Sequence, residues 1–279
     1  MEHPFDEKLI PVTSVTSGEL MQVLPDIYCL PIQIVNVCFV GNPQQPAEWI
    51  LIDAGMPESA EMIIRSAEGL FGTKPRAIIL THGHFDHVGA IAQLIERWDV
   101  PVYAHPLEMP YLTGRAEYPP PDDTVEGGLV PELSRMFPHS GINLEGKILV
   151  LPPDGSVPHM PEWGWMHTPG HAPGHVSLFR ERDRALIAGD AFCTVKEDYL
   201  HEVVMQEPEV YGPPRYFTPD WDAARESVKL LASLNPVTAV AGHGRPMAGP
   251  VLAEGLRMLA ERFDEIAVPD KGRYVNAQP

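Results

Sequence analysis

Four residues able to bind metal are crowded into the stretch THGHFDH, where His82, His84, Asp86 and His87 lie within six positions after an apolar run. The intervening Gly83 permits a sharp turn, so the side chains of His82 and His84 can point the same way. Asp86 and His87 fall at the start of the next predicted helix and can face the same volume. Because imidazole and carboxylate groups bind zinc and its first-row neighbours, the stretch predicts a metal site.

Four ligands from one turn cannot complete the coordination of two metal ions, because a catalytic zinc takes about three protein ligands and a water molecule. Three further candidates lie later in the chain. His171 lies in HTPGHAPGH, Asp190 ends LIAGD, and His243 lies in AGHGRP. Each follows a β-rich run and is adjacent to a glycine, as expected where a chain leaves the edge of a sheet to form a site.

The segments that must position these residues predict an α/β fold. The first 55 residues alternate short β-rich runs with turns and end in WILIDAG. Apolar stripes with helical spacing over residues 60–70 and 88–98 then alternate with the strand-like runs RAIIL and VPVYA. This alternation indicates a sheet with a parallel edge and crossover helices.

The second half repeats the scheme. Strands are predicted at KILVL, WGWMHT, HVSLF, RALIAGD and VTAVAGHG. Thr218-Pro219 has the composition of a helix N-cap and first turn, and apolar residues spaced three and four apart predict one last helix over residues 252–266. Since both halves run from strands to helix to strand, we expect a single domain of two similar layers over residues 1–279.

Residues 106–140 interrupt this pattern with seven prolines, six acidic residues and two basic ones. Two interpretations stay open for this proline-rich insertion: a surface excursion, or a lid-like wall of a pocket. The tail over residues 268–279 is expected to be loosely ordered.

The composition is that of an acidic protein, with 20 Lys and Arg against 38 Asp and Glu and a formal charge of -18. Such a charge, without a basic patch, disfavours nucleic acid and anionic membrane surfaces as partners. No apolar run approaches the roughly 20 residues that span a bilayer, and the start lacks the pattern of a signal peptide. The three unclustered cysteines, Cys29, Cys38 and Cys193, indicate reduced thiols, so a cytoplasmic protein is expected. The sequence leaves monomer and homodimer open.

The ordered series ILIDAG, THGHFDH, HTPGH, GDAF and GHG, within about residues 19–244, resembles the metallo-β-lactamase-fold superfamily. The resemblance implies a four-layer αββα sandwich with the metal site at the edge between the two sheets. It implies two divalent metal ions, zinc first and iron or manganese as alternatives, and a role for Asp53 in holding the ligand loop without binding metal. The implied ligands are His82, His84 and His171 for the first ion, Asp86, His87 and His243 for the second, and Asp190 as a bridge.

Hydrolysis by a metal-bridging hydroxide is the chemistry that the resemblance implies, because two close divalent ions lower the pKa of a bridging water to near 7. Asp86 and Asp190 are the expected catalytic proton acceptors. Asp190 stands where true zinc β-lactamases carry Cys or Ser, and His84 where the oxygen-reducing diiron flavoproteins of this fold carry Glu. The nucleases of this fold use a basic surface that this chain lacks. A small-molecule ester, thioester or lactone is therefore the expected substrate, as in the glyoxalase II-like and lactonase-like branches.

Two alternatives stay open. One is an iron persulfide dioxygenase with a single ion bound by His82, His171 and either His84 or Asp190. The other is a non-catalytic metal-binding protein on the same fold.

The aromatic and proline-rich segment over residues 205–221 is expected to line the substrate pocket. Its candidate substrate contacts are Tyr211, Tyr216 and Phe217, and the competing interpretation is a packed crossover loop. No motif assigns a role to His105 or to Cys193, although Cys193 is expected to pack rather than react.

Overall fold

The structure is a computed structural model that describes residues 12–275. Within them the chain divides into two compact units, one of residues 12–118 and 138–161 and the other of residues 119–137 and 162–275. The single domain expected over residues 1–279 stays a prediction. Residues 276–279 of the predicted loose tail lie outside the described residues.

The first unit contains a seven-stranded mixed sheet in the order β1-β2-β3-β4-β5-β6-β7. Strands β1 to β4 pair antiparallel, and β4 to β7 pair parallel. The strands are β1 Met21–Leu24, β2 Ile27–Ile32, β3 Val35–Val40, β4 Ile50–Ile52, β5 Ala77–Ile79, β6 Val102–Ala104 and β7 Ile148–Val150. The helices of this unit are α1 Ala60–Leu70, α2 Phe85–Val88, α3 Ile91–Trp98 and α4 Met109–Leu112.

The helices of the first unit pack through the apolar stripes seen in the sequence. Ile63 and Ile64 are buried on α1, and Ile91 and Trp98 are buried on α3. The central strands are buried along their whole length, as expected of parallel strands covered on both faces. The short strands β4 and β5 thereby become rigid supports for the residues that follow them.

The second sheet is also mixed and has the strand order β13-β12-β11-β10-β9-β8. Its strands are β8 Ser156–Val157, β9 Met160–His167, β10 Val176–Arg180, β11 Ala185–Gly189, β12 Thr238–Ala241 and β13 Met247–Ala248. The remaining helices are α5 Leu129–Ser134, α6 Leu200–Met205, α7 Trp221–Ser233, α8 Gly249–Glu261 and α9 Phe263–Ile266. In this sheet β11 and β12 pair parallel, whereas β9 with β10, β10 with β11 and β12 with β13 pair antiparallel. The two mixed sheets with helices confirm the predicted α/β class.

Two details of the second unit differ from the sequence prediction. Helix α7 begins at Trp221, and its N-cap is Asp220, whose carboxylate accepts a hydrogen bond from the Ala223 amide at 2.9 Å. The predicted N-cap Thr218 instead donates its hydroxyl to the Pro214 carbonyl, because it closes the preceding 3-10 turn. The predicted last helix is also interrupted at Arg262, between α8 and α9.

The proline-rich insertion contains local structure. A 3-10 turn over Pro106–Glu108 leads into α4, and α5 lies within residues 119–137 of the second unit. The described tail contacts this second part, since Tyr274 donates to the Pro120 carbonyl at 2.7 Å and the Arg273 amide donates to Asp122. A lid role for residues 106–140 stays a prediction. Among the described helices, none is long and apolar enough to cross a membrane.

Candidate metal centre

The THGHFDH stretch forms the connection from β5 to α2, and its His and Asp side chains are buried. His82 and His87 have no exposed surface, and His84 and Asp86 are at most 7% exposed. His84 is the extended residue before α2, which starts at Phe85 and places Asp86 and His87 in its single turn. The predicted turn and helix start are therefore both present.

The first two histidines direct ring nitrogens at each other. His82 Nε2 lies 3.1 Å from His84 Nδ1, and the Thr81 hydroxyl lies 3.1 Å from His82 Nδ1 on the far side of the ring. Two ligands of a tetrahedral zinc ion at 2.0–2.1 Å from the metal are about 3.3 Å apart. The separation of these two nitrogen atoms is thus close to that of two ligands of one ion.

Asp53, which follows β4, organises the same connection. Its carboxylate accepts hydrogen bonds from the Thr81 amide at 2.7 Å and the Thr81 hydroxyl at 2.8 Å, and it lies 2.9 Å from His87 Nδ1. A carboxylate can only accept, so the Nδ1 proton of His87 points to Asp53 and its Nε2 is left as the ligand atom. Nε2 lies 4.0 Å from Asp86 Oδ2. Asp53 thus holds both Thr81 and His87, and its role in supporting metal ligands stays a prediction.

A second set of hydrogen bonds holds the backbone at Gly83. The Gly83 amide donates to Glu108 Oε2 at 2.9 Å and lies 3.0 Å from the Tyr118 hydroxyl, which itself donates to Glu108. A Cβ at Gly83 would lie 2.6 Å from that hydroxyl, so the turn needs a glycine because of this close approach. The Tyr118 ring also lies edge-on to His84, with the centroids 4.4 Å apart.

The second unit brings together the other three predicted ligands, His171, Asp190 and His243, all at most 3% exposed. Asp190 follows β11, His243 follows β12, and His171 lies in the turn between β9 and β10. Asp190 Oδ2 lies 3.4 Å from His171 Nε2 and 3.2 Å from His243 Nε2. Both separations are close to that of two ligands of one ion, and a single carboxylate oxygen of Asp190 faces both histidines.

The surroundings of these ligands fix their orientation. His175 Nε2 accepts a hydrogen bond from the Asp190 amide at 2.8 Å, so His175 holds the backbone at Asp190. His243 Nδ1 lies 3.0 Å from Glu197 Oε1. Burial disfavours the imidazolium form, but Glu197 and Asp190 outweigh this effect and hold the pKa of His243 well above its usual value. Glu197 and Asp190 therefore stabilise positive charge on the His243 ring.

The chemistry of the donor set fits divalent metal. Among the described residues, all seven predicted ligands belong to groups of His and Asp side chains that could hold a metal ion. All seven are buried, and the two buried carboxylates among them require compensating positive charge. The donor atoms are nitrogen and oxygen, which suit zinc, iron and manganese alike.

The candidate substrate contacts are buried inside the second unit. Tyr211, Tyr216 and Phe217 are at most 8% exposed. Tyr211 stacks with the Arg215 guanidinium, and the rings of Tyr216 and Phe217 both pack near Phe137. This burial is that expected of a packed crossover loop, and contact with substrate stays a prediction.

The structure gives local roles to two residues that the sequence left without one. The His105 ring accepts a hydrogen bond from the Leu107 amide and caps the following 3-10 turn. Cys193 is fully buried and pairs with Tyr211 through backbone hydrogen bonds at 2.9 and 3.1 Å.

Sequence reasoning missed Thr81, Glu108, Tyr118 and Glu197. Thr81 stands within the motif and could have been suspected from its position before His82. The other three lie in loops or turns without a recognisable pattern, and only their complete burial beside the candidate ligands distinguishes them.

Comparison with known proteins supports the metal site. The family model described as the metallo-beta-lactamase superfamily matches residues 32–243. The probable metallo-hydrolase YflN of Bacillus subtilis (strain 168) is 48% identical over 259 residues, covering 92% of this chain and 98% of that protein. The hydroxyacylglutathione hydrolase GloC of Haemophilus influenzae is 29% identical over 196 residues, covering 70% of this chain and 79% of that protein.

A solved structure agrees in fold. The crystal structure of the BLEG-1 B3 metallo-beta-lactamase superposes with a TM-score of 0.57 at 23% identity, covering 88% of this chain and 96% of that chain. At that identity the likeness concerns the fold alone. The two mixed sheets with helices and the buried His and Asp groups agree with the family match, which covers most of the chain. The chain belongs to the metallo-β-lactamase superfamily.

Proposed function

We propose that the chain is a hydrolase that binds two divalent metal ions, preferably zinc, and cleaves a small-molecule ester, thioester or lactone. The first ion would be held by His82, His84 and His171, the second by Asp86, His87 and His243, with Asp190 shared. The observation that carries this proposal is the geometry of Asp190, whose Oδ2 lies within 3.4 Å of the ring nitrogens of both His171 and His243. This position is compatible with a carboxylate shared by the two proposed ions.

When bound, two such ions lower the pKa of a water molecule and polarise the group to be cleaved. The residues of the chain orient the ligands and handle the proton. Asp53 and Thr81 hold His87 and His82 with their Nε2 atoms facing the site. Asp86 and Asp190 are the proposed acceptors of the proton released by the attacking water. Both carboxylates are buried, so the proton is shielded from bulk solvent.

The substrate class is supported by the relatives and by charge. YflN is named a probable metallo-hydrolase, and GloC is named a hydroxyacylglutathione hydrolase, which favours the thioester within the proposed set. The formal charge of -18 disfavours nucleic acid and anionic lipid as substrates. We further propose that the protein acts in the cytoplasm and that Tyr211, Tyr216 and Phe217 contribute to the substrate pocket.

Metal analysis followed by a substrate panel tests the proposal. We expect two metal ions per chain and hydrolysis of at least one ester, thioester or lactone, abolished by chelator and restored by zinc. A single iron ion per chain with oxygen consumption would replace this function with a persulfide dioxygenase. Absence of hydrolysis by metal-replete protein across the panel would refute it.

A further inference from the structure

Glu197 is a buried carboxylate that no ligand motif includes. It is 1% exposed, and its Oε1 lies 3.0 Å from His243 Nδ1. His243 Nε2, on the opposite side of the ring, lies 3.2 Å from Asp190 Oδ2. The imidazole of His243 is therefore placed between two carboxylates, one at each nitrogen.

The connection that carries Glu197 also holds the backbone at His243. Both the amide and the hydroxyl of Thr194 donate to the His243 carbonyl, at 3.0 and 3.1 Å. Gly244 has φ +96°, and a Cβ there would lie 2.4 Å from the Thr194 hydroxyl. Residues 194–197 thus hold His243 at its carbonyl and at its ring, which leaves the imidazole little freedom to rotate.

We propose that Glu197 is a positioning residue for His243, which makes Nε2 the metal-binding atom and raises its affinity for the second ion. This proposal rests on the proposed function. A carboxylate at Nδ1 accepts a hydrogen bond from that nitrogen and so keeps the ring proton on Nδ1, which leaves the lone pair of Nε2 for the metal and increases the basicity of the ring. Asp53 stands in the same relation to His87, at 2.9 Å from its Nδ1.

The two metal positions consequently differ in their supports. His87 and His243, assigned to the second ion, each have a carboxylate at Nδ1. His82, assigned to the first ion, has the neutral Thr81 hydroxyl 3.1 Å from its Nδ1. Loss of Glu197 should therefore weaken the second ion selectively.

The neighbouring residue offers a matched control. Asp198 is equally buried at 1% exposure, but its carboxylate lies 3.4 Å from Arg215 and interacts with Tyr211 rather than with a candidate ligand. Glu197→Gln and Asp198→Asn each replace a buried acidic side chain by its amide at adjacent positions. Only Glu197→Gln removes the carboxylate that contacts the His243 ring.

The experiment is zinc competition against a chromophoric chelator with the full chain, together with thermal unfolding of the metal-free protein. We expect Glu197→Gln to retain one ion and to bind the other about 10 to 100 times more weakly. Asp198→Asn should bind both ions as the parent protein does, and Glu197→Asp should recover part of the affinity. Glu197→Gln should have no further effect in a His243→Ala background, because its action passes through that ring.

The outcomes separate this proposal from the function on which it rests. If the parent protein binds no metal, both fail. If the parent protein binds two ions and Glu197→Gln binds both with unchanged affinity, only the role of Glu197 fails. Equal loss of the second ion in Asp198→Asn would also overturn it, because loss of any buried acid, rather than of the contact with His243, would then be the cause.

Discussion

Replacing Asp53 by Asn changes the hydrogen-bond direction at His87 while preserving the shape of the side chain. Asp53 is 3% exposed and accepts from the Thr81 amide, the Thr81 hydroxyl and His87 Nδ1. An amide has only one oxygen, which the Thr81 amide would occupy. Its NH2 group would then face the Thr81 hydroxyl and His87 Nδ1, and each of these atoms would have to accept a hydrogen bond from it. The ring proton of His87 would move to Nε2, the atom proposed to bind the second ion.

The magnitude follows from these contacts. Three hydrogen bonds to a charged acceptor are replaced by neutral ones, and a charged bond contributes roughly 1 kcal/mol more than a neutral one, so the metal-free protein should lose about 3 kcal/mol of unfolding free energy. Metal affinity at the second position should fall about 10 to 100 times. Thr81 and His82 keep the first position, so one ion should be retained.

Urea unfolding of the metal-free protein and chelator competition measure the two effects separately. Asp122→Asn is a matched control, because Asp122 is 1% exposed and accepts from the amide and hydroxyl of Thr124, whereas none of its partners is a candidate ligand. It should lose stability and keep both ions. Two tightly bound ions in Asp53→Asn, or loss of metal in Asp122→Asn, would refute the assignment of Asp53 to His87.

Three further outcomes are expected. Asp86→Asn should lower turnover by orders of magnitude with little change in thermal stability, and unchanged turnover would contradict its role as a proton acceptor. Gly83→Ala should lose about 1–3 kcal/mol of unfolding free energy, because the added methyl group meets the Tyr118 hydroxyl. Gly69→Ala on α1, where a Cβ meets nothing within 4 Å, should instead gain up to about 1 kcal/mol. Burial raises the pKa of Asp198 to about 7 despite Arg215. Its stabilising contribution is complete below pH 4 and is lost as the pH rises through 7, so Asp198→Asn should flatten the decline of stability between pH 4 and 8.

The helices and strands around the site follow closely from sequence pattern. The apolar stripes over residues 60–70 and 88–98 correspond to α1 and to α2 with α3, and the strand-like runs before Asp53, His82 and Asp190 are strands β4, β5 and β11. These segments were predictable because burial of one face imposes a local period on the sequence. The N-cap of α7 was not predictable from the sequence, because Thr218 and Asp220 are both suitable cap residues. The contact of Thr218 with Pro214 depends on the preceding turn.

What the sequence alone determined is a set of candidate donor groups, since the types and spacing of residues in THGHFDH place two histidines and an aspartate-histidine pair at one turn. Only the tertiary structure decided which nitrogen of each ring faces the site. The tautomer of an imidazole depends on the partner at its other nitrogen, and these partners are supplied by Asp53 to His87 and by Glu197 to His243 from distant parts of the chain. Because such contacts leave no local pattern, Glu197 became recognisable only when folding placed its carboxylate against the ring.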